Sequence, residues 1–329
     1  MEIKNIILVA AAVATFCLTA FEGKAQEYAV TTLSANMMMQ APDYESGLET
    51  QCLMGTLVEI LERDGAWRKV SCPEPYTAWV SELSLKELSL EEAKTWLAAD
   101  KYVFTPLSGH VLDSPSPDAG FISDLVAGDL LRISLRNGRP LRHGRFLGVT
   151  LPSGQTGWVP KKDLSLFKNW AASRQATGGN VISTAKRLLG TPYLWGGESS
   201  KGLDCSGLVR YCFFLNGVLL PRNTSQQVRL GEDVPVMDED GATDLSALVP
   251  GDLVFFASET SGRVNHVAIY IGEGRIIQAS HLVRINTIAD PSSSDFYDRK
   301  PFCARRILSH IGEPGISTLT SSPSYFPQN

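Results

Sequence analysis

The chain has 329 residues, 43% apolar and 20% charged, with 30 basic against 35 acidic side chains and a net charge of −5. Its length allows two or three domains, and its acidic balance argues against a nucleic-acid binder, which would be basic. The five histidines are scattered and no CxxC or HExxH occurs, so neither a structural or catalytic metal nor a cofactor is expected.

Residues 1–25 read as an export signal. Lys4 supplies a short positive region, Ile6 to Ala20 is apolar, and Gly23-Lys24-Ala25 is a small-x-small cleavage site before Gln26. The apolar run is too short, and too soon followed by polar sequence, to be a good membrane span. Cys17 would suit a lipid-modified cysteine, but Phe16 precedes it where a small residue is expected. The reading is a soluble exported protein, periplasmic or extracellular after cleavage. Of the six cysteines, Cys52, Cys72, Cys205, Cys212 and Cys303 remain after that cut. An odd number leaves at least one thiol unpaired. Cys52 and Cys72 lie in the same small domain, and the sequence leaves open whether they are bridged, because it gives no Cα separations.

Residues 26–88 read as short strands separated by turns, among them Leu57–Leu61, a turn at Asp64-Gly65, Trp67–Val70 and Ala78–Val80. Residues 89–167 open on a short helix, Ser89 to Ala99, and then repeat the pattern. Gly65-Ala66-Trp67-Arg68-Lys69-Val70 is echoed by Gly144-Arg145-Phe146-Leu147-Gly148-Val149, and Trp79-Val80 by Trp158-Val159, with an aromatic-to-Trp spacing of 12 in both. Each copy closes on a similar run, Leu83-Ser84-Leu85 and Leu164-Ser165-Leu166. Two small all-β barrels fit this pattern, with Trp67 and Trp158 as barrel core. Both resemble the bacterial SH3-like domains of cell-wall enzymes.

The texture changes in residues 178–311. Val181 to Leu189 is an amphipathic helix ended by Gly190, and Leu189 to Val209 reads LGTPYLWGGESSKGLDCSGLV. Cys205 opens a second helix. Leu208, Val209, Cys212 and Phe213 keep helical spacing, Asp204 stands at the N-cap and Gly217 at the stop. A thiol in a first turn faces unpaired N–H groups and the positive end of the helix dipole, which lowers its pKa. Free cysteines are more often packed core residues, a role that suits Cys212 better. Strands follow at Leu253–Phe256, Asn265–Ile271, Arg275–Ser280 and Phe302–Ile307, with a hairpin at Gly272-Glu273-Gly274. Helices followed by antiparallel strands define an α+β domain. Residues 312–329, rich in Ser, Thr and Pro, read as a flexible tail.

A thiolate needs a neighbouring base. If Gly272–Arg275 form a four-residue turn, Ile271 opposes Ile276 and His266 faces His281 at about 5 Å. His281 would then orient His266, as the third group of a triad does.

Residues 178–309 resemble the NlpC-type cysteine peptidases, papain-like enzymes of bacterial cell walls. The matching elements are Gly190-Thr191-Pro192-Tyr193 with Trp195-Gly196-Gly197, Asp204-Cys205-Ser206-Gly207, Pro250-Gly251-Asp252-Leu253, Asn265-His266-Val267-Ala268-Ile269-Tyr270 and Ala279-Ser280-His281. The resemblance implies a Cys205 nucleophile, a His266 base, a His281 third residue and an oxyanion donor at Tyr193. Members with two N-terminal SH3-like domains hydrolyse the bond between γ-D-glutamate and the diamino acid in L-Ala-γ-D-Glu-diamino acid murein peptides, in cell-wall degradation or recycling. In them the free amine of the substrate sits beside the cysteine. Asp204 and Ser206 match those positions, with plain helix capping as the alternative for Asp204. Tyr76 and an acid of the first SH3-like domain, Glu49 in preference to Glu45, would complete the pocket with Trp195. A monomer acting on murein peptides is expected. The rival readings are a murein amidase or acyltransferase on the same core, and a non-catalytic wall-binding protein.

Overall fold

Alternation along short strands builds the N-terminal half. In Trp67–Cys72 every second residue is buried, which places Val70 and Cys72 in a core with Ala29, Met38, Val58 and Ala78. The computed structural model describes residues 27–73 and 76–327; the expected export signal, like Glu74 and Pro75, lies outside the described residues. The first sheet has seven strands in the order Leu48–Leu53, Ala35–Met39, Tyr76–Ser81, Trp67–Cys72, Leu57–Asp64, Glu27–Thr31 and Leu85–Leu88. Numbered from the chain start, that order is 3-2-6-5-4-1-7. A capped helix, Leu90–Ala98, follows, with Ser89 and Glu92 forming a reciprocal capping box. The second sheet is ordered Phe121–Val126, Ser108–Leu112, Thr156–Pro160, Phe146–Thr150, Leu130–Ile133, Lys101–Phe104 and Leu164–Leu166, with Arg142–His143 added beside Phe146–Thr150. Leaving out that short addition, it repeats the order of the first sheet. Trp67 and Trp158 are only partly buried. Trp67 packs on a satellite cluster of Met39, Leu48 and Trp79 instead of the main core.

The C-terminal half sets helices Gly178–Arg187 and Cys205–Phe214 against a six-stranded antiparallel sheet. Its order is Glu232–Val234, Cys303–Arg306, Leu253–Ala257, Val264–Gly272, Arg275–Ser280 and Leu282–Thr287. One face (Leu253, Phe255, Val267, Ile269, Ile277) buries Leu208, Val209 and Cys212 of the second helix. The other (Val254, Phe256, Ala268, Tyr270, Ile276) covers Val234, Val236 and Leu248.

The three parts meet at one polar junction. Ser34 of the first sheet donates to Asp124 of the second at 2.8 Å, and Lys201 of the C-terminal half donates to Ser34 at 2.7 Å while pairing with Asp124. The segment expected to be a flexible tail is docked. Ser317–Thr318 pairs with Val218–Leu219, Ile316 and Leu319 are fully buried, and Phe326 stacks on Phe167 at 5.0 Å. Ile316, Leu319, Tyr325 (its ring 5.9 Å from that of Phe214) and Phe326 supply the burial that composition alone concealed.

The hairpin differs from expectation by one residue. Glu273 and Gly274, both at positive φ, form a two-residue turn, Gly272 pairs with Arg275, and a bulge between Tyr270 and Gly272 makes Tyr270 oppose Ile276. A one-residue shift exchanges the faces of every downstream side chain. Gln278, not His281, therefore shares the face of His266. His281 is the single turn residue between paired Ser280 and Leu282, with φ +61° and an exposed side chain. Leu282–Thr287 is a strand the sequence did not announce.

Candidate active site

The helix Cys205–Phe214 begins where it does because Asp204 caps it, its Oδ1 accepting from Gly207 N at 2.7 Å. The approach to that cap is tight: a Cβ on Gly207 would lie 2.0 Å from the Gly197 carbonyl oxygen. Gly196, at φ +76°, would bring a Cβ within 2.7 Å of Leu48 O in the first sheet, so glycine there lets that sheet close over the cleft.

The resulting cleft has a volume of about 310 Å³. Its lining includes Glu49 and Tyr76 from the first sheet, Tyr193 and Trp195 from the Gly-rich approach, and Asp204, Cys205 and Ser206 from the helix tip, with Arg222, Asn223 and Thr224 closing the side. A larger cavity of about 760 Å³ lies on the second sheet, between Leu112, Arg145, Phe146 and Lys161, but no cysteine or histidine lines it. Chemistry belongs to the smaller one.

The sulfur of Cys205 lies 3.7 Å from Thr224 Oγ1 and faces the backbone N–H of Val267, the residue after His266. Burial, then the Asp204 charge, push the thiol up, against the Thr224 hydroxyl and the Val267 and Ser206 N–H groups. The helix N-terminus does not win here, contrary to the expectation of a lowered pKa, because Cys205 is only 7% exposed. Burial also pulls the His266 imidazole down to about 4, with Arg299 adding to the effect and Gln278 and Asp204 opposing it. At neutral pH the thiol and the imidazole are thus both uncharged.

That depression has a measurable consequence. The unfolded chain takes up a proton on this histidine near its ordinary pKa of about 6.5, whereas the folded one resists until about 4. The stabilisation is complete above pH 6.5 and is lost as pH falls through that window, amounting to about 2 kcal/mol by pH 4.5. His266→Gln should therefore show a shallower loss of urea-measured stability between pH 7 and 4.5 than the unsubstituted protein. Parallel curves would contradict the assignment.

A directed chain of hydrogen bonds sets the imidazole tautomer. Asn286 Nδ2 donates to the carbonyl of Asp295 at 2.7 Å, an atom that can only accept. Asn286 Oδ1 then accepts from Gln278 Nε2 at 2.9 Å, which leaves Gln278 Oε1 to accept from His266 Nε2 at 2.5 Å. With its proton on Nε2, the ring keeps its lone pair on Nδ1. Gln278 is fully buried and Asn286 nearly so. Gln278 thus occupies the place expected for His281, whose contribution is its backbone: its carbonyl accepts from Tyr193 N at 2.8 Å. Burial, then the nearby Cys205 and Asp204 charges, push the Tyr193 phenol up to about 12, so it stays a donor beside the sulfur.

Asp204 is engaged beyond capping. Its two oxygens accept from Gly207 N, Gly196 N, Ser206 Oγ and both terminal nitrogens of Arg222, the shortest at 2.6 Å. Arg222 is 2% exposed; it also donates to Ser206 Oγ at 2.9 Å and to Thr50 Oγ1 at 2.8 Å. The acceptor open to the cleft is instead Glu49, which accepts a hydrogen bond from the Tyr76 hydroxyl, while Asn223 Nδ2 donates to that hydroxyl at 3.2 Å. Burial and the bond to Glu49 push the Tyr76 phenol up to about 12. Glu45 is exposed and takes no part in the lining.

The sequence reading missed Arg222, Thr224, Gln278 and Asn286. Gln278 left a signal, a polar residue inside the apolar run Ile276-Ile277-Gln278-Ala279. Arg222 left none, because burial of a charge is visible only when its partner is. Among the described residues no cluster of His, Cys, Asp and Glu could hold a metal ion, and no helix is long and apolar enough to cross a membrane.

A thiol, an imidazole held in one tautomer and a phenolic donor are the kinds of group that acyl transfer through a thioester uses, the chemistry of a cysteine hydrolase. Comparison with known proteins agrees. Residues 190–306 match the NlpC/P60 family and residues 38–85 the bacterial dipeptidyl-peptidase Sh3 domain. A Bacillus cereus (strain ATCC 10987 / NRS 248) protein named gamma-D-glutamyl-L-lysine dipeptidyl-peptidase is 30% identical over 272 residues, covering 79% of this chain and 75% of that one. One of the same name from Bacillus subtilis (strain 168) is 37% identical over 243 residues, covering 70% and 72%. The crystal structure of an NlpC/P60 family protein from Bacillus cereus ATCC 10987 aligns with a TM-score of 0.68 at 25% identity, over 85% of this chain and 99% of that one. The chain belongs to the NlpC/P60 family of cysteine peptidases, with a papain-like domain preceded by an SH3-like one.

Proposed function

We propose that the protein hydrolyses the amide between γ-D-glutamate and the diamino acid in murein peptides that carry a free N-terminal L-Ala. The observation that carries this reading is the Glu49–Tyr76 pair, which the first sheet inserts at the end of the Cys205 cleft. A carboxylate there suits an ammonium group, and a wall in a cleft of about 310 Å³ admits a short N-terminal stub. Two relatives are named for a γ-D-glutamyl-L-lysine dipeptidyl-peptidase activity. The amine role falls to Glu49 with Tyr76, because Asp204 and Ser206 already have their partners in Arg222 and the helix cap; Asp204 contributes its charge from behind. Trp195, 66% exposed, forms the outer lip against which the substrate lies.

In the mechanism, Cys205 Sγ attacks the γ-carbonyl carbon as its proton passes to His266 Nδ1. The developing oxyanion takes hydrogen bonds from the Cys205 backbone N–H and the Tyr193 hydroxyl. An imidazolium whose acidity is raised by burial readily returns the proton to the leaving amine of the diamino acid. Water then attacks the thioester, with His266 as base again, and releases L-Ala-γ-D-Glu. The second sheet, with the strand order of the first, is read as a second SH3-like domain. Residues 1–25 are read as a signal that exports the protein. One chain supplies every group, so a monomer suffices.

Defined tripeptides test the reading. A free amine should be cleaved at least about 100-fold faster than an N-acetylated one, and Glu49→Gln should lower kcat/KM on the free peptide by about 10–100-fold. Equal rates on blocked and free peptides would overturn it. Mass analysis separates the rivals: an amidase or acyltransferase gives other products, and a wall-binding protein gives none. For the orienting chain, Gln278→Ala should cost about 100-fold in kcat/KM by freeing the imidazole, and Asn286→Ala about tenfold by letting Gln278 flip. Since both act through one chain, the double variant should be no slower than Gln278→Ala; additive losses would refute the relay.

A further inference from the structure

Two thiols outside the cleft chemistry touch each other. Cys52 lies on Leu48–Leu53 and Cys72 ends Trp67–Cys72; in the sheet order Ala35–Met39 and Tyr76–Ser81 stand between those strands. The side chains nevertheless meet in the core of the first sheet, with their sulfurs 3.2 Å apart and the residues 7% and 6% exposed. Cys205, Cys212 and Cys303 have no cysteine partner among the described residues.

The pair sits directly behind the wall that holds the substrate. Residues 49 to 51 on the Cys52 strand all reach the cleft or the peptidase domain. Glu49 accepts from Tyr76, Thr50 Oγ1 accepts from Arg222 Nε at 2.8 Å, and Gln51 Oε1 accepts from Glu198 N at 2.9 Å and from Ser199 Oγ at 3.0 Å. On the other side, the carbonyl of Pro73, next to Cys72, accepts from Arg210 Nη2 at 3.2 Å, and Tyr76 opens the next strand. A covalent link between the two sulfurs would join the strand bearing Glu49 to the residue that pairs with Tyr76 on the next strand.

We propose that Cys52 and Cys72 are a disulfide-forming site and that the cross-link clamps the amine-binding wall of the cleft. The oxidant is a disulfide compound such as oxidised glutathione. One cysteine sulfur attacks it, releasing one thiol and forming a mixed disulfide; the second cysteine displaces the remaining thiol. The two cysteines lose two electrons and two protons, and the oxidant gains both as two thiols. Contact with Cys72, then burial, push the Cys52 thiol up, so the exchange proceeds while the chain folds or the wall is open.

The clamp rests on the reading of Glu49 and Tyr76 given above; the bond itself does not. Refolding the Cys205→Ala protein with oxidised glutathione, followed by peptide mapping without reduction, should find Cys52 joined to Cys72. The unfolding midpoint should rise by about 5 °C over the reduced sample. In the active protein, Cys72→Ala should raise KM for the free-amine tripeptide about 3–10-fold with kcat within about twofold, because the wall is less preorganised. Both thiols remaining free to alkylate in denaturant, or pairing with other cysteines, would overturn the proposal. A bridged pair with KM unchanged in Cys72→Ala would overturn the clamp. Absence of turnover in the unsubstituted protein is a separate result, which removes the peptidase reading and leaves the peptide map to decide the bond.

Discussion

Cys205→Ala is expected to lower kcat/KM on the free-amine tripeptide by about 10⁴-fold or more, the scale seen when a covalent nucleophile is removed. The fold should survive the change. The sulfur supplies a small share of a core that includes Leu208, Val209 and Cys212, and the helix cap at Asp204 is untouched. Substrate binding should also persist, because Glu49, Tyr76 and Tyr193 are separate groups. Turnover and binding of the tripeptide, measured on the same preparation, check this. Retained turnover in a correctly folded Cys205→Ala protein would place the nucleophile elsewhere. A pH-rate profile adds the sign of the electrostatics. With the imidazole held near 4 and the thiol pushed up, activity should persist well below pH 6.5 before the base is protonated.

Arg222→Met is the second large change. Arg222 is 2% exposed and its guanidinium bridges Asp204, Ser206 and Thr50. Removing it leaves the Asp204 carboxylate, 7% exposed, without its counter-ion, and breaking a buried pair from one side costs about 3–5 kcal/mol. Equilibrium urea unfolding measures that loss. Asp204→Asn in the same chain should recover part of it, since a neutral amide oxygen can still accept at the helix cap. A loss below about 1 kcal/mol in Arg222→Met would mean that the pair is solvated and not structural. Activity should fall together with stability, because Arg222 joins Thr50 of the first sheet to the Asp204 cap of the Cys205 helix.

Much of the site was readable one residue at a time. The cap, the helical spacing after Cys205 and the strand around His266 are local, set by periods of 3.6 and 2 and by a short polar side chain that satisfies backbone N–H groups. Glu49 and Tyr76 line the cleft and Glu45 does not. What failed was long-range or depended on register. A single bulge before Gly272 moved the third group from His281 to Gln278. The tail looks loose in sequence because Ile316, Leu319, Tyr325 and Phe326 are spread thinly among polar residues. The Cys205 thiol runs against its sequence pattern because a helix N-terminus is visible in sequence and desolvation is not.

The sequence by itself therefore determined the kind of chemistry: a capped cysteine, a strand histidine and the two copies of an aromatic-to-Trp spacing are statements about neighbours in the chain. Tertiary structure decided which groups act together. Orientation of the imidazole, neutralisation of Asp204, the depth of the cleft and the meeting of Cys52 with Cys72 depend on separations that one added residue in a strand can reverse. Such distances are set by packing across elements far apart in the chain, and no local pattern encodes them.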